Sequence, residues 1–124
     1  MSNVEFRIEI PKDYYMSWCV TTQADNTIKV KLYDSVSVYV NGSRRSIDIM
    51  PPLAINASNV NGEHLRLYIE SSGIHKLKSN LVSYNLTAKN GAAVGIIYDI
   101  CIEDYIDDDY NDVCVTIIAW KNRG

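Results

Sequence analysis

Ten residues near the C-terminus, positions 103–112, form the densest cluster of side chains in this 124-residue chain that could do chemistry. The segment contains six carboxylates and one amide, and oxygen-bearing side chains recur at every second position at Asp107, Asp109 and Asn111. In an extended loop this spacing would turn the three side chains to the same side of the backbone. The side chains that would face the other way are Asp108 and Tyr110. The spacing therefore predicts a cluster of converging oxygen ligands.

Carboxylates this close together repel one another unless a positive charge lies among them, and the neighbouring sequence supplies no basic residue. Calcium is the cation that suits such a group, because it takes about six to eight oxygens from carboxylates, amides, carbonyls and water. The carboxylates that would converge, with charge enough for two such ions, are Glu103, Asp107, Asp109 and Asp112. We therefore predict that the loop binds two Ca²⁺ per chain, with Asn111 adding an amide oxygen.

An acidic run is more often a solvated surface or a disordered tail. Here the run lies between two apolar stretches, residues 92–102 and 113–120, so it is a loop held at both ends. An EF-hand beginning at Asp107 would need Gly at its sixth position and Glu at its twelfth, where this chain has Asp112 and Ile118. Gly-rich nonapeptide repeats are also absent from the sequence, which has only six glycines. The acidic segment thus predicts a calcium site of another type.

The acidic segment also resembles that of a known family. The matching pattern is Glu103-Asp104-x-x-Asp107-x-Asp109-Tyr110-Asn111-Asp112, followed by a strand, Trp120 and a terminal Gly124. A weaker match runs through residues 8–11 and 20–27, whereas residues 33–90 show little identity. On these residues the chain resembles the bacterial two-calcium fucose/mannose-binding lectins, the fucose-binding lectin II family. Length and strand rhythm fit this family across the whole chain.

The resemblance implies a role for each matching residue. One calcium would be bound by Glu103, Asp107, Asp109 and Asp112. The second would be bound by Asp109, Asn111, Asp112 and the backbone carbonyl of Gln23, and completed by the terminal carboxylate of Gly124 from a partner subunit. The sugar would be contacted by Ala24, Asp25, Asn26, Asp104, Asp107, Asp109 and Asp112.

Within that sugar-binding set, the resemblance implies that Asp104 accepts a hydrogen bond from a sugar hydroxyl. The turn Ala24-Asp25-Asn26 would tune which sugar fits. Ala24 offers no hydroxyl, so we expect mannose-type sugars to bind at least as well as fucose. The chain departs from the family pattern at Gln23, which replaces Asn, and at Tyr105, which replaces Gly. Its last strand and tail are also longer than those of the family.

Three functional classes can be weighed for such a site. Paired carboxylates serve glycosidases, but general acid catalysis needs a pKa near the working pH, and a calcium-filled cluster keeps its acids ionised. The two histidines, His64 and His75, are remote from the acidic loop in sequence. We therefore predict that the protein is not an enzyme. The residues alone support equally a lectin whose sugar hydroxyls ligate both ions and a module whose purely structural calcium site serves protein–protein adhesion; the resemblance favours the lectin.

Composition and sequence patterns limit the classes of partner that we expect for this protein. The net charge is −3 and no dense basic patch occurs, so we expect no nucleic-acid partner. The N-terminus lacks the apolar core of a secretory signal, and no stretch approaches the ~18 apolar residues of a membrane helix. We expect synthesis in the cytoplasm, no membrane insertion, and action outside the cell or at its surface after non-classical release. Because single lectin sites are commonly weak, avidity predicts a homodimer or homotetramer that binds mannose- or fucose-containing glycans.

Apolar residues alternate with polar ones almost everywhere, which is typical of half-buried β-strands. The length predicts one domain, residues 1–124. Short strands with regular turn signals predict an all-β fold that is either a β-sandwich or a barrel. Of the two we expect an antiparallel β-sandwich of about nine short strands with Greek-key or jelly-roll-like connections.

Local signals add detail to this fold. We expect hairpin turns at the Asn-Gly pairs 41–42, 61–62 and 90–91, and a corner between sheets at Pro51-Pro52. The pair Arg44-Arg45 is expected in a solvated turn. The three cysteines are too few for a disulfide framework, and we expect them to be buried small hydrophobes; they are Cys19, Cys101 and Cys114.

Overall fold

The computed structural model describes residues 1–106 and 108–124, and nine β-strands lie within them. This confirms the predicted all-β class and the predicted strand number. No helix capable of crossing a membrane is found in these residues. The strands are β1 (Ser2–Arg7), β2 (Tyr15–Thr22), β3 (Ala24–Tyr33), β4 (Val38–Ser46), β5 (Ala54–Asn59), β6 (Arg66–Ser71), β7 (Lys78–Thr87), β8 (Ala93–Glu103) and β9 (Val113–Trp120).

The strands form two antiparallel sheets, as predicted for a β-sandwich. One sheet has four strands in the order β1-β6-β3-β4, and the other has five in the order β5-β2-β9-β8-β7. The chain passes from one sheet to the other between β1 and β2, β2 and β3, β4 and β5, β5 and β6, and β6 and β7. The β2–β3 connection and the β8–β9 loop lie at the same end of the sandwich, because Thr22 pairs with Val113.

The core lies between the two sheets and follows the alternation of the strands. In β9, for example, Val113, Val115 and Ile117 are buried, while the residues between them are half-buried on the opposite face. Full burial of one such side chain stabilises the fold by roughly 1.5–3 kcal/mol. Side chains with no exposed surface include Met16, Ile28, Val30, Val60, Leu67, Ile69, Ile100, Ile102 and Ile117.

The three Asn-Gly pairs behave differently from one another. The prediction for residues 90–91 is confirmed, because this pair lies in the tight connection between β7 and β8, where Gly91 has φ +83°. The pair at 61–62 connects β5 to β6, which are in different sheets, so it is not a hairpin. The pair at 41–42 lies inside β4, where Gly42 is the partner of Val30. Pairing with β3 and the burial of Val40 override the local turn preference there.

The connection from β4 to β5 contains Pro51-Pro52 and joins the two sheets, so the predicted corner is confirmed. The solvated turn predicted at Arg44-Arg45 is wrong, because both residues lie in β4. The Arg44 Nε donates to the Thr22 hydroxyl at 2.6 Å, so this side chain connects the two sheets.

The expectation for the cysteines is also wrong. All three are half-buried and unbridged, because the strand alternation places them on the face of the five-stranded sheet that points away from the core. Cys101 and Cys114 are direct partners on β8 and β9. Burial, and then a hydrogen bond with Cys101, raises the pKa of the Cys114 thiol to about 12.

Candidate metal and ligand site

The acidic segment forms the loop between two neighbouring strands of the five-stranded sheet. β8 ends at Glu103 and β9 begins at Val113, and the pair Ile102–Val113 closes the base of the loop. The backbone N–H of Gln23 donates to the carbonyl of Asp112 at 3.0 Å. This bond brings the β2–β3 connection, where the sequence predicts the sugar-selecting residues, alongside the acidic loop.

Three of the predicted calcium ligands converge in space. One carboxylate oxygen from each of Glu103, Asp109 and Asp112 lies within 4.8 Å of the other two. Glu103 is fully buried, Asp112 is 9% exposed and Asp109 is exposed. A set made only of carboxylate oxygens fits a hard cation such as Ca²⁺. The predicted ligand Asp107 lies outside the described residues.

Burial and proximity make the charges of this triad costly. Burial raises the pKa of Asp112, and the hydrogen bonds that Asp112 accepts from the Glu103 carboxyl group and from the backbone N–H of Asp104 oppose the rise. The Asp104 N–H donates to Asp112 Oδ2 at 2.9 Å. Two neighbouring buried carboxyl groups cannot both ionise cheaply. Either a proton shared between them or a bound cation must therefore offset the repulsion.

The loop is not extended, so the geometric reason for the convergence differs from the predicted one. Asp108 and Tyr110 have φ values of +58° and +55°, in the left-handed region that a bulky residue such as Tyr rarely adopts. Asp108 forms an ion pair with Lys78 instead of joining the triad. Lys78 is the strand partner of Glu103. The fold thus supplies a basic residue that the neighbouring sequence lacks.

Asp104, the predicted acceptor for a sugar hydroxyl, is 3% exposed and held by two donors. Asn26 Nδ2 and Ser71 Oγ each donate to its Oδ2 at 3.0 Å. A carboxylate offers about four acceptor positions, so these two bonds fix its orientation without using all of them. Gly73 makes the arrangement possible, because a Cβ at this position would lie 2.5 Å from Asn26 Nδ2.

The predicted sugar-selecting residues lie at the start of β3. Pairing with β4 shifts register between Ala24 and Ile28, and such a bulge re-aims the side chains within it. Ala24 is 2% exposed and packs in the core. Asp25 points outward and forms an ion pair with Arg45 at 2.8 Å.

An open cavity of about 370 Å³ lies beside the triad. This volume is within the range of small-molecule sites, roughly 300–1,000 Å³. Asp112 belongs both to the triad and to the cavity wall, so the two are contiguous. The residues that line the cavity are Asp25, Asn26, Asp104, Tyr105 and Asp112.

The two remaining predicted ligands are placed differently. Asn111 is half-buried within the acidic loop, next to Asp112. Gly124 lies beyond the far end of β9, which carries the chain about 26 Å from the loop at about 3.3 Å per residue. The Arg123 guanidinium lies 4.7 Å from the centre of the Tyr15 ring and fixes the tail at that end. Gly124 is therefore remote from the acidic loop of its own chain.

Three residues that support the site were not predicted from the sequence. Ser71 is fully buried and polar, a combination that only the fold reveals. Lys78 reaches the loop from β7. The ring of His75 packs against the ring of Tyr105 edge to face, with centroids 4.9 Å apart. No local sequence signal marks these residues, because each is brought to the loop by pairing of distant segments.

Known structures share this fold. The chain is similar to the Chromobacterium violaceum lectin CV2L, solved in complex with alpha-methyl-fucoside (22% identity, TM-score 0.66). It is also similar to the Ralstonia solanacearum high-affinity mannose-binding lectin (19%, 0.66) and to the C-terminal domain of the Burkholderia cenocepacia lectin BC2L-C (20%, 0.65). Each match covers 97% of this chain and 96% of the other.

The sequence itself matches no protein-family model and no curated protein. At these identities the structural matches establish the fold. The fold is that of bacterial sugar-binding lectins, and the resemblance predicted from the acidic segment is confirmed at this level.

The raised pKa of Asp112 predicts a pH dependence of stability in the presence of a chelator. The pKa of an Asp carboxyl group in the unfolded state is about 3.9. When the folded-state pKa is higher, the group stabilises the fold fully at pH values below the unfolded pKa. This stabilisation is lost as the pH rises through the folded pKa. With chelator, Asp112→Asn should therefore gain free energy of unfolding relative to the parent between pH ~4 and neutrality.

Calcium should reverse this ranking at neutral pH. At a calcium concentration a hundredfold above the dissociation constant, each site adds about 2.7 kcal/mol to the parent, and the variant, which lacks one carboxylate ligand, should gain less. Urea unfolding across pH, with and without calcium, provides the comparison. A parent that calcium leaves unchanged would contradict a cation site at Asp112.

Proposed function

We propose that the protein is a calcium-dependent carbohydrate-binding protein, a lectin for mannose- or fucose-type sugars. The observation that carries the proposal is the open cavity that shares Asp112 with the carboxylate triad, in a chain with the fold of sugar-binding lectins. Two Ca²⁺ would be held by Glu103, Asp107, Asp109, Asn111 and Asp112 together with the Gln23 carbonyl. When bound, the ions supply Lewis-acid positions that the sugar hydroxyls ligate directly.

The cavity distinguishes this proposal from a purely structural calcium site. A structural site is closed by protein and water oxygens, and it needs no adjoining space for a ligand. Here Asp112, a buried member of the triad, also lines an open cavity. Asp25 and Asn26 stand on the opposite element, β3. A ligand in this space would be contacted by two parts of the chain that are remote in sequence.

The chain's own residues would orient the sugar. Asp104 keeps acceptor capacity beyond its bonds to Asn26 and Ser71, so it can accept a charge-assisted hydrogen bond from a hydroxyl. Because Ala24 is buried, Asp25 and Asn26 are the selecting residues with access to the cavity. Asp25 is itself held by Arg45. Nothing in this arrangement requires a catalytic acid or base, and we propose binding without turnover.

A partner subunit would complete the site. Gly124 is remote from the acidic loop of its own chain, so its terminal carboxylate could reach a calcium site only in another copy. A closed two-fold dimer makes such an exchange reciprocal. We therefore propose a homodimer, or a tetramer built from two such dimers, whose several sites give avidity for glycans displayed outside the cell or at its surface.

The first test measures calcium and sugar binding together. Calorimetric titrations with methyl mannoside and methyl fucoside should show binding in calcium, with mannoside at least equal to fucoside, and none after chelation. Native mass spectrometry should find two calcium ions per chain. Asp109→Ala should lose both ions and the sugar, because the resemblance places Asp109 on both. Asp48→Ala, a change in the connection after β4, is the matched control and should bind like the parent.

The outcomes of that test separate the candidate functions. Two ions with no sugar binding would favour the structural calcium module and overturn the lectin. One ion or none at millimolar calcium would overturn the two-ion site.

The second test concerns the tail. Deleting Gly124, or adding one residue after it, displaces the terminal carboxylate and should weaken both calcium and sugar binding at least several-fold, while the unfolding temperature in chelator stays the same. Asn122→Ala is the control, because it leaves the terminus in place. If both tail variants bind sugar as the parent does, the site is built from one chain alone.

A further inference from the structure

Tyr105 is an aromatic wall of the cavity. Its side chain is 53% exposed, and it lines the cavity together with four residues that carry carboxylate or amide groups. An aromatic ring that lines a small polar cavity offers an apolar surface to a ligand. A tyrosine that packs on a ligand buries a large apolar area while its hydroxyl stays in water.

The ring is also held in place. It meets the ring of His75 at an interplanar angle of 87°, with centroids 4.9 Å apart. This edge-to-face geometry is one of the favoured arrangements of aromatic pairs. The segment that carries His75 is tied to β1, because the Ser2 hydroxyl donates to the His75 carbonyl at 2.6 Å. A ring supported in this way loses less conformational entropy when a ligand packs on it.

We infer that Tyr105 packs against the apolar C–H face of the bound sugar ring. The inference rests on the proposed sugar-binding function and extends it. A pyranose has hydroxyls at its edge and C–H bonds on its faces, so it suits a cavity with acids on one wall and an aromatic ring on another. Asp104 and Asp112 supply the polar wall, and Tyr105 the apolar one.

The test compares variants of Tyr105 in calcium-saturated protein. Calorimetry with methyl mannoside and methyl fucoside should show that Tyr105→Ala weakens binding of the better ligand by about three- to tenfold, while Tyr105→Phe stays near the parent. His75→Ala should cause a smaller loss, since it removes the support and leaves the ring. Ile106→Ala is the matched control, because Ile106 is exposed and does not line the cavity.

Two further readouts exclude a merely structural role. Calcium affinity should be the same in Tyr105→Ala and the parent, and saturation-transfer NMR should show contact between the Tyr105 ring and sugar C–H protons that is lost in the variant. Equal or tighter sugar binding by Tyr105→Ala would overturn the inference, and tighter binding would show that the ring obstructs the cavity. A parent that binds calcium but neither sugar would overturn the proposed function as well.

A second inference comes from the other face of the sheet and does not depend on the first. Cys101 and Cys114 are directly opposite on β8 and β9. Opposite residues of antiparallel strands have Cα atoms about 4.5–5.5 Å apart, within the roughly 4.4–6.8 Å that a disulfide spans. Cys19 lies opposite Thr116, which is two residues after Cys114 on β9.

We propose that Cys101 and Cys114 form a disulfide on exposure to a low-molecular-weight disulfide such as oxidised glutathione. The thiolate of Cys101 attacks the reagent and releases one reduced glutathione, because the raised pKa of the Cys114 thiol keeps Cys114 protonated at this step. The second cysteine then gives up its proton, attacks the resulting mixed disulfide and releases the other. The protein loses two protons and two electrons, and the reagent gains them. The new bond ties β8 to β9 two residues before Glu103 and two after Asp112.

Thiol counting and peptide mapping after oxidation test this second inference. The number of titratable thiols should fall from three to one, with a 101–114 bridge mapped and Cys19 still reduced. Cys19→Ser should form the same bridge, and in chelator the bridged protein should unfold at a higher temperature than the reduced one. Glutathione retained on the cysteines, or a bridge that includes Cys19, would overturn it.

Discussion

The structure depends on the burial of several carboxylates where β8 passes into the acidic loop. Glu103 has no exposed surface, and Asp104 and Asp112 are almost as deeply buried. Burying charge costs free energy unless an opposite charge or hydrogen bonds offset it. Donors from Asn26 and Ser71 offset it at Asp104, whereas the triad of Glu103, Asp109 and Asp112 consists of acids alone. A proton shared between two of these acids or a bound hard cation would relieve the repulsion in this triad, and Ca²⁺ is the partner that we propose.

The sandwich brings the other parts of the site to this frame. Pairing of β2 with β9 places Gln23 beside Asp112. Asp25 and Asn26, which lie where the register of β3 shifts, line the cavity. The end of β6 supplies Ser71, and the connection after β6 supplies His75. Each of these contacts joins segments that are far apart in sequence, so the cavity exists only when both sheets are assembled. The two sheets are therefore as necessary to the ligand site as the acidic loop is.

The sequence predicted the acidic loop and the sandwich because both leave local signals. Six carboxylates within ten residues predict a cation site, and the alternation of apolar and polar residues predicts strands. Predictions from local sequence were wrong where the pairing of distant strands determines the backbone conformation. Asn41-Gly42 is a sequence pair that favours a turn, but pairing with β3 keeps it extended inside β4. Asp108 adopts a left-handed backbone conformation, which the spacing of the acidic residues does not indicate. Lys78 and Ser71 were missed because only the fold brings them to the loop.

The longer tail and Tyr105 are the features in which this chain departs most from the lectin family that it resembles. Tyr105 stands where that family has Gly, and the structure gives the larger side chain a position in the cavity wall. The tail ends at the opposite end of the sandwich from the acidic loop of its own chain. Both departures alter the surroundings of the site and leave the acidic triad itself in place.

A crystal structure of the protein with calcium and methyl mannoside, using the anomalous signal of calcium, tests the central claim most directly. The account predicts two anomalous peaks beside Glu103, Asp109 and Asp112, each in contact with hydroxyls of one sugar ring in the adjoining cavity. A single peak whose neighbours are all protein and water oxygens, with no sugar in the cavity, would contradict it.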